Sequence, residues 1–280
     1  MPTSAAPRLS VSTWSLHRAL GVTYPDAPGG NVRRGPVESY GPASLSLLEV
    51  PERIAAMGVH TLEICHFHLP SRDAGYFQEL QSALDAARVE LFSVLIDGGD
   101  ITDPVHHARD LAWAGEWVDT AAALGAQRAR VIAGKSSYSE EAMQRSIAGL
   151  RALAARGAAQ GVRVTTENWY PLLSRPEAVL RLLDSLEGQV GLNLDFGNWS
   201  GPTKYDDLAA IFPRAESCHA KCAFTAPRAP DTEDFRRCLD LSHAAGFAGP
   251  YTLIYDGPGD DEWEGLVIER ELVQPYLQSH

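Results

Sequence analysis

Glu167, Asp195 and His219 fall at or near the carboxyl ends of three consecutive runs that read as β-strands, Arg163–Glu167, Gly191–Asp195 and Glu216–Lys221. Side chains alternate between the two faces of a strand. Along the first run Val162, Val164 and Thr166 form the more apolar row, which leaves Thr165 and Glu167 opposite. Leu192, Leu194 and Phe196 form that row in the second, leaving Asn193 and Asp195. In the third, Cys218, Ala220 and Cys222 are the small apolar row, and His219 and Lys221 share the other face. If the apolar rows meet helices, Glu167, Asp195 and His219 point into one cavity. Each residue alone has a plain structural reading, as a turn cap or a hydrogen-bonded core group. Three buried ionisable groups together are costly unless paired or metal-bound. Carboxylate and imidazole donors suit a divalent ion, Mn²⁺ first, with Mg²⁺, Co²⁺, Fe²⁺ or Zn²⁺ fitting as well. Such a centre polarises carbonyl and hydroxyl oxygens and supports acid–base chemistry beside them.

Other polar side chains gather at predicted strand ends. His66 and His68 follow the second strand in Cys-His-Phe-His-Leu-Pro. Their spacing suits metal ligation and equally suits a surface turn; we expect at least one to meet substrate, with His66 a catalytic candidate. His17 closes the first strand and is a substrate-contact candidate. Lys221 can stabilise a developing oxyanion or bind a phosphate, or form a salt bridge to Glu167 or Asp195. Trp14 and Trp169 can stack against a sugar face or serve as core.

The elements that must position these groups alternate regularly. Strands are expected at Arg8–Trp14, His60–Cys65, Glu90–Ile96, Arg128–Ile132, Arg163–Glu167, Gly191–Asp195, Glu216–Lys221 and Tyr251–Tyr255. Helical periodicity fills the intervals, as in Val105–Leu124, Glu140–Gln160, Pro176–Leu186, Thr232–Ala245 and Glu262–Leu277. Ser139, Ser174 and Asp231 stand where helix caps belong. Eight strands, each followed by a helix, predict an α/β fold, a single (β/α)₈ barrel over residues 1–280. A doubly wound open sheet is the runner-up, but the first strand lacks the glycine-rich dinucleotide turn. Gly21–Ser44, rich in Gly and Pro, reads as a lid loop after strand one.

Composition narrows the function. The 280 residues carry 24 basic and 36 acidic side chains, a net charge of −12 that opposes nucleic acid and anionic membranes. No apolar run reaches the ~20 residues of a membrane span, and the amino terminus lacks a signal-peptide core. We expect a cytoplasmic protein. Its four cysteines suit reduced thiols, and the Cys218–Cys222 spacing does not match a zinc knuckle.

HTLEICHFHLP, TENWYP, LNLDFGNW, CHAKC and YTLIYDGPGD together resemble the xylose-isomerase-like barrel superfamily, over about Leu9 to Tyr276. That superfamily includes sugar and sugar-phosphate isomerases and epimerases, inosose dehydratases and abasic-site endonucleases. The resemblance implies Glu167, Asp195 and His219 as metal ligands. It matches Glu63 to a carboxylate that contacts the site from below, although a buried pair partner fits that residue as well. The family's strand-eight glutamate, a fourth ligand, aligns with Ile254. Asp256, two residues on and of the same parity, is the candidate replacement, with a solvated turn residue as the alternative. Asn198 stands where isomerase-like members often carry a histidine; it can bind a substrate hydroxyl but cannot shuttle a proton.

These features imply a divalent-metal-dependent isomerase or epimerase acting on a keto sugar or its derivative by proton abstraction through a metal-stabilised enediolate, with Glu167 as a ligand that doubles as base. The alternatives are a metal-dependent lyase or dehydratase on a keto sugar, keto-glycoside or inosose, and a non-catalytic sugar-binding barrel. The expected partners are a small sugar and, as in related barrels, further copies of the chain.

Overall fold

A computed structural model describes residues 6–30 and 36–277. Eight parallel strands close into a barrel in sequence order: β1 Arg8–Ser12, β2 Thr61–Cys65, β3 Glu90–Ile96, β4 Arg128–Val131, β5 Arg163–Glu167, β6 Gly191–Asp195, β7 Ala215–Cys222 and β8 Pro250–Tyr255. Outer helices follow them: α1 Val50–Ala56, α2 Ala74–Ala87, α3 His107–Ala123, α4 Glu140–Ala158, α5 Pro176–Ser185, α6 Lys204–Ile211, α7 Thr232–Ala244 and α8 Glu262–Val273. The first strand stops short of Trp14 because the Ser12 hydroxyl accepts from the Trp14 N–H, which starts a tight turn over Thr13–Leu16. Ser139 and Asp231 cap α4 and α7 as expected. Ser174 does not cap α5; its hydroxyl donates to the Pro171 carbonyl and closes the preceding turn.

The two-residue alternation divides the molecule into two environments. Outward rows such as Leu9 and Val11, Leu62 and Ile64, Leu192 and Leu194, Cys218 and Ala220 join the apolar layer under the helices. Inward rows are polar and equally buried: Ser10 and Ser12, Thr61 and Glu63, Thr165 and Glu167, Asn193 and Asp195, Ser217 and His219. At the amino-terminal end Glu216 takes Arg128 and the Arg163 Nε at 2.7 Å, while Glu90 takes the Arg8 Nε at 2.6 Å. This plug leaves the carboxyl end as the open face.

The Gly21–Ser44 segment is partly anchored. Val22–Thr23 pairs antiparallel with Val37–Glu38, and the Trp113 indole donates to Asp26 Oδ1 at 3.1 Å. Residues 31–35, the middle of the expected lid, lie outside the described residues. Gly21 turns this segment with a φ of +65°, and a Cβ there would lie 2.5 Å from the Ala43 nitrogen. Backbone that close leaves no room for a side chain.

Glu269 on α8 is fully buried, and neither carboxyl oxygen has a hydrogen bond of ordinary geometry. Burial pushes its carboxyl well above the usual 4.5, with the Cys222 backbone and Lys221 opposing weakly. The folded state therefore keeps a proton that the unfolded chain releases, and stability falls as pH rises above about 4.5. Glu269→Gln is expected to raise the unfolding free energy by about 1–3 kcal/mol near neutral pH. Denaturant titrations across pH should show that gain shrinking toward pH 4.5.

Candidate active site

The open end of the barrel holds a pocket whose empty space, counted together with the solvent at its mouth, is about 350 Å³. Glu167, Asp195 and His219 form its floor with Arg130 and Asn198; Trp14, Trp169, Leu95 and Ile254 make apolar walls, and Lys221 completes the lining. The three ionisable floor residues Glu167, Asp195 and His219 arrive by register. Glu167 pairs with Asn193, and Asp195 pairs with His219, so the ends of β5, β6 and β7 bring their side chains together.

One donor atom from each of Glu167, Asp195 and His219 lies within 4.8 Å of the others. His219 Nδ1 is 3.6 Å from Glu167 Oε2 and 3.5 Å from Asp195 Oδ2. Its Nε2 is 2.9 Å from Glu63 Oε2. In the neutral ring, with the proton on Nε2 donated to Glu63, the Nδ1 lone pair faces the two carboxylates. That carboxylate–imidazole support is how a metal-ligating histidine is held in orientation. The donor set of two carboxylates and one imidazole therefore fits a divalent ion, with the cavity side left open for substrate.

The carboxylates are held as firmly. Asp195 Oδ1 accepts from the Gly197 and Asn198 N–H groups at 2.6 and 3.0 Å. Asn168 bonds the Asp195 backbone at both nitrogen and oxygen. Glu167 Oε1 accepts from the Asn198 amide at 2.6 Å, and Oε2 from Asn193 at 3.3 Å. The Ser217 hydroxyl donates to Asn193 Oδ1 at 2.7 Å, which turns the Asn193 amide toward Glu167. Arg130 on β4 lies buried beneath, its Nε 3.1 Å from Glu167 Oε2 and its Nη1 2.6 Å from Asp97 Oδ1. These contacts are ion pairs rather than aligned hydrogen bonds.

The electrostatics follow from burial and neighbours. Burial pushes Glu167 above the ordinary carboxylate range, against Arg130 and His219. Burial opposes the His219 charge, yet Glu167 and Glu63 outweigh it and raise the ring to about 10, so the ring is a cation until a bound divalent ion displaces its Nδ1 proton. Burial also disfavours the Asp97 charge, and Arg130 with His66 keeps that carboxyl below its usual range.

The remaining expected residues occupy the rim or the wall behind it. Trp14 and Trp169 line the cavity; Asn198 lines it too, with its amide spent on Glu167. His66 and His68 are buried in a turn after β2. His68 bonds Thr13 Oγ1 at 2.9 Å and His17 Nδ1 at 3.2 Å, while His66 packs edge-on to Trp113 and Trp117. Neither joins the donor cluster. His17 stacks between Tyr40 and Phe67, and burial drives it down to about 4. Asp256 is not gathered with the three donors; its Oδ2 accepts from Lys221 Nζ at 2.9 Å. Burial opposes the Lys221 charge, but the Asp256 contact and Asp195 raise it above the usual lysine value. Arg130 and Asp97 were not anticipated. The available signal was an arginine inside the apolar run Arg-Ala-Arg-Val-Ile, of the same parity as Ile132.

The family model described as a xylose isomerase-like TIM barrel matches residues 51–267. No curated protein matches the sequence. Among solved structures, a xylose isomerase-like TIM barrel protein from Mycobacterium smegmatis in complex with magnesium is 17% identical, with a TM-score of 0.69 over 99% of this chain and 98% of that one. D-psicose 3-epimerase from Clostridium cellulolyticum H10 with D-tagatose is 13% identical, with a TM-score of 0.69 over 97% and 100%. 3-Keto-D-glucoside 4-epimerase from E. coli is 16% identical, with a TM-score of 0.65 over 82% and 94%. Among the described residues no helix is long and apolar enough to cross a membrane.

Two substitutions probe this arrangement. Glu63→Gln is expected to weaken Mn²⁺ binding about 10–100-fold in a calorimetric titration, because His219 loses its orienting carboxylate. Arg130→Met leaves Asp97 and Glu167 without their counter-ion and should cost about 3–5 kcal/mol in denaturant unfolding.

Proposed function

We propose that this chain, which belongs to the xylose isomerase-like TIM barrel family, is a divalent-metal-dependent isomerase or epimerase of a keto sugar or keto-sugar derivative. The observation that carries the reading is the convergence of Glu167, Asp195 and His219 within 4.8 Å at the catalytic end of the barrel. The epimerases of similar fold and the magnesium-bound neighbour support it. Mn²⁺ is the expected ion, and Mg²⁺, Co²⁺, Fe²⁺ and Zn²⁺ suit the same donors.

When bound, the ion draws electron density from the carbonyl and hydroxyl oxygens of the sugar and stabilises the charge left by proton loss. The chain's own groups do the rest. Glu167 Oε2 faces Arg130, Asn193 and His219, whereas Oε1 accepts from the Asn198 amide. Oε1 is therefore the oxygen to take the carbon-bound proton, and burial of Glu167 raises its basicity for that task. Trp14 and Trp169 wall the cavity on its apolar sides and suit the carbon-bound faces of a sugar. Ile254 occupies the β8 position facing the cavity, where a second carboxylate would have to stand to serve the opposite face of the substrate. That favours proton transfer on one face, as in ketose–aldose isomerisation. β-Elimination needs only one base as well and is the second reading.

Protein loaded with Mn²⁺ and incubated with ketoses in heavy water is expected to place solvent deuterium on a carbon next to the carbonyl, detected by NMR. Glu167→Gln should slow this exchange by about 10²–10⁴-fold. A dehydrated product would assign the elimination instead. Absence of exchange with every ketose would leave a sugar-binding barrel without catalysis.

A further inference from the structure

The pair formed by Lys221 and Asp256 takes no part in the steps above. Lys221 follows His219 by two residues on β7, so it has the same facing and its Cα lies about 6.6 Å further along the strand, two residues of ~3.3 Å each. It lines the cavity, and its ammonium stands 2.9 Å from Asp256 Oδ2 just beyond the end of β8. The Lys221 stem crosses Gly197, where a Cβ would lie only 2.8 Å from Lys221 Cδ. Glycine at that position clears the path that brings the ammonium over the cavity. The pair is more open than the floor, with side-chain exposures of 28% for Lys221 and 53% for Asp256.

An ammonium donor fixed beside a carboxylate acceptor matches hydroxyl groups, which donate and accept at once. It does not match a phosphate, because the lysine charge is already balanced and the carboxylate would face the dianion. We infer that Lys221 and Asp256 form a specificity-determining pair that reads hydroxyls at the end of the sugar remote from Glu167, Asp195 and His219, and that it disfavours a phosphate there. This inference rests on the ketose reading above. A three-carbon ketose held at the floor by its carbonyl and the two neighbouring hydroxyls has no further hydroxyl to offer the pair, whereas a six-carbon ketose has three more.

The test is calorimetric binding to Mn²⁺-loaded protein of dihydroxyacetone, D-fructose and D-fructose 6-phosphate, with wild type, Asp256→Asn and Lys221→Met. Wild type is expected to bind D-fructose about tenfold or more tighter than either of the other two ligands. Both variants should reduce the preference for D-fructose over dihydroxyacetone to about threefold or less, and Asp256→Asn should improve binding of the 6-phosphate. A preference unchanged in both variants, or a 6-phosphate that binds wild type more tightly than D-fructose, overturns the inference while the ketose reading stands. Failure of all three ligands to bind wild type overturns the ketose reading, and this inference falls with it.

Discussion

Charge buried inside a closed barrel has to be balanced by side chains, because water is excluded and an uncompensated ion costs several kcal/mol. That requirement organises this molecule from end to end. At the closed end Glu216 joins Arg128 and Arg163, and Glu90 joins Arg8. In the middle Ser217 and Asn193 pass hydrogen bonds upward. At the open end Arg130 bridges Asp97 and Glu167, and His219 is set between Glu63 and the two carboxylates of the floor. Glu63 and Asp97 are engaged by His219 and Arg130, and one donor atom from each of Glu167, Asp195 and His219 faces a common point. Under the proposed function a divalent ion there completes the balance, and the same buried frame keeps the donors in place before it binds.

The two layers of the cavity divide the work. Under the proposed function chemistry belongs to the floor, where Glu167, Asp195 and His219 are buried and held by second contacts. Discrimination belongs one pleat higher, where Lys221, Asp256 and the aromatic walls meet solvent. On β8 an apolar side chain, Ile254, lines the cavity, and Asp256, the next residue of its parity, stands at the rim beside Lys221.

Much of this was legible in the sequence because a strand has a period of two and the helix-facing rows are apolar. Glu167, Asp195 and His219 each fall opposite such a row, so the barrel and the inward direction of all three can be read together. Asp256 shows where that logic stops. Its parity matches Ile254, but β8 ends at Tyr255, and alternation carries no information once the chain leaves the strand. His66 and His68 lie in a tight turn rather than on β2, so their spacing described neither face of a strand. Arg130 and Asp97 escaped notice for another reason. Each alone is an isolated charge near a strand end, and only adjacency of β3 and β4 reveals that one neutralises the other. The segment after β1 has no periodicity, so neither its hairpin nor the anchoring of Asp26 by Trp113 could be foreseen.

The claim that the floor is a metal centre is tested most directly by elemental mass spectrometry of protein purified without added metal or chelator and then incubated with Mn²⁺, beside a Glu167→Gln, His219→Ala double variant. The account predicts about one divalent ion per chain in the wild type, the stoichiometry of a single three-donor site, and its loss in a variant that remains folded by circular dichroism. Wild type that takes up no ion, or a folded double variant that retains it, would contradict the assignment of Glu167, Asp195 and His219 as its ligands.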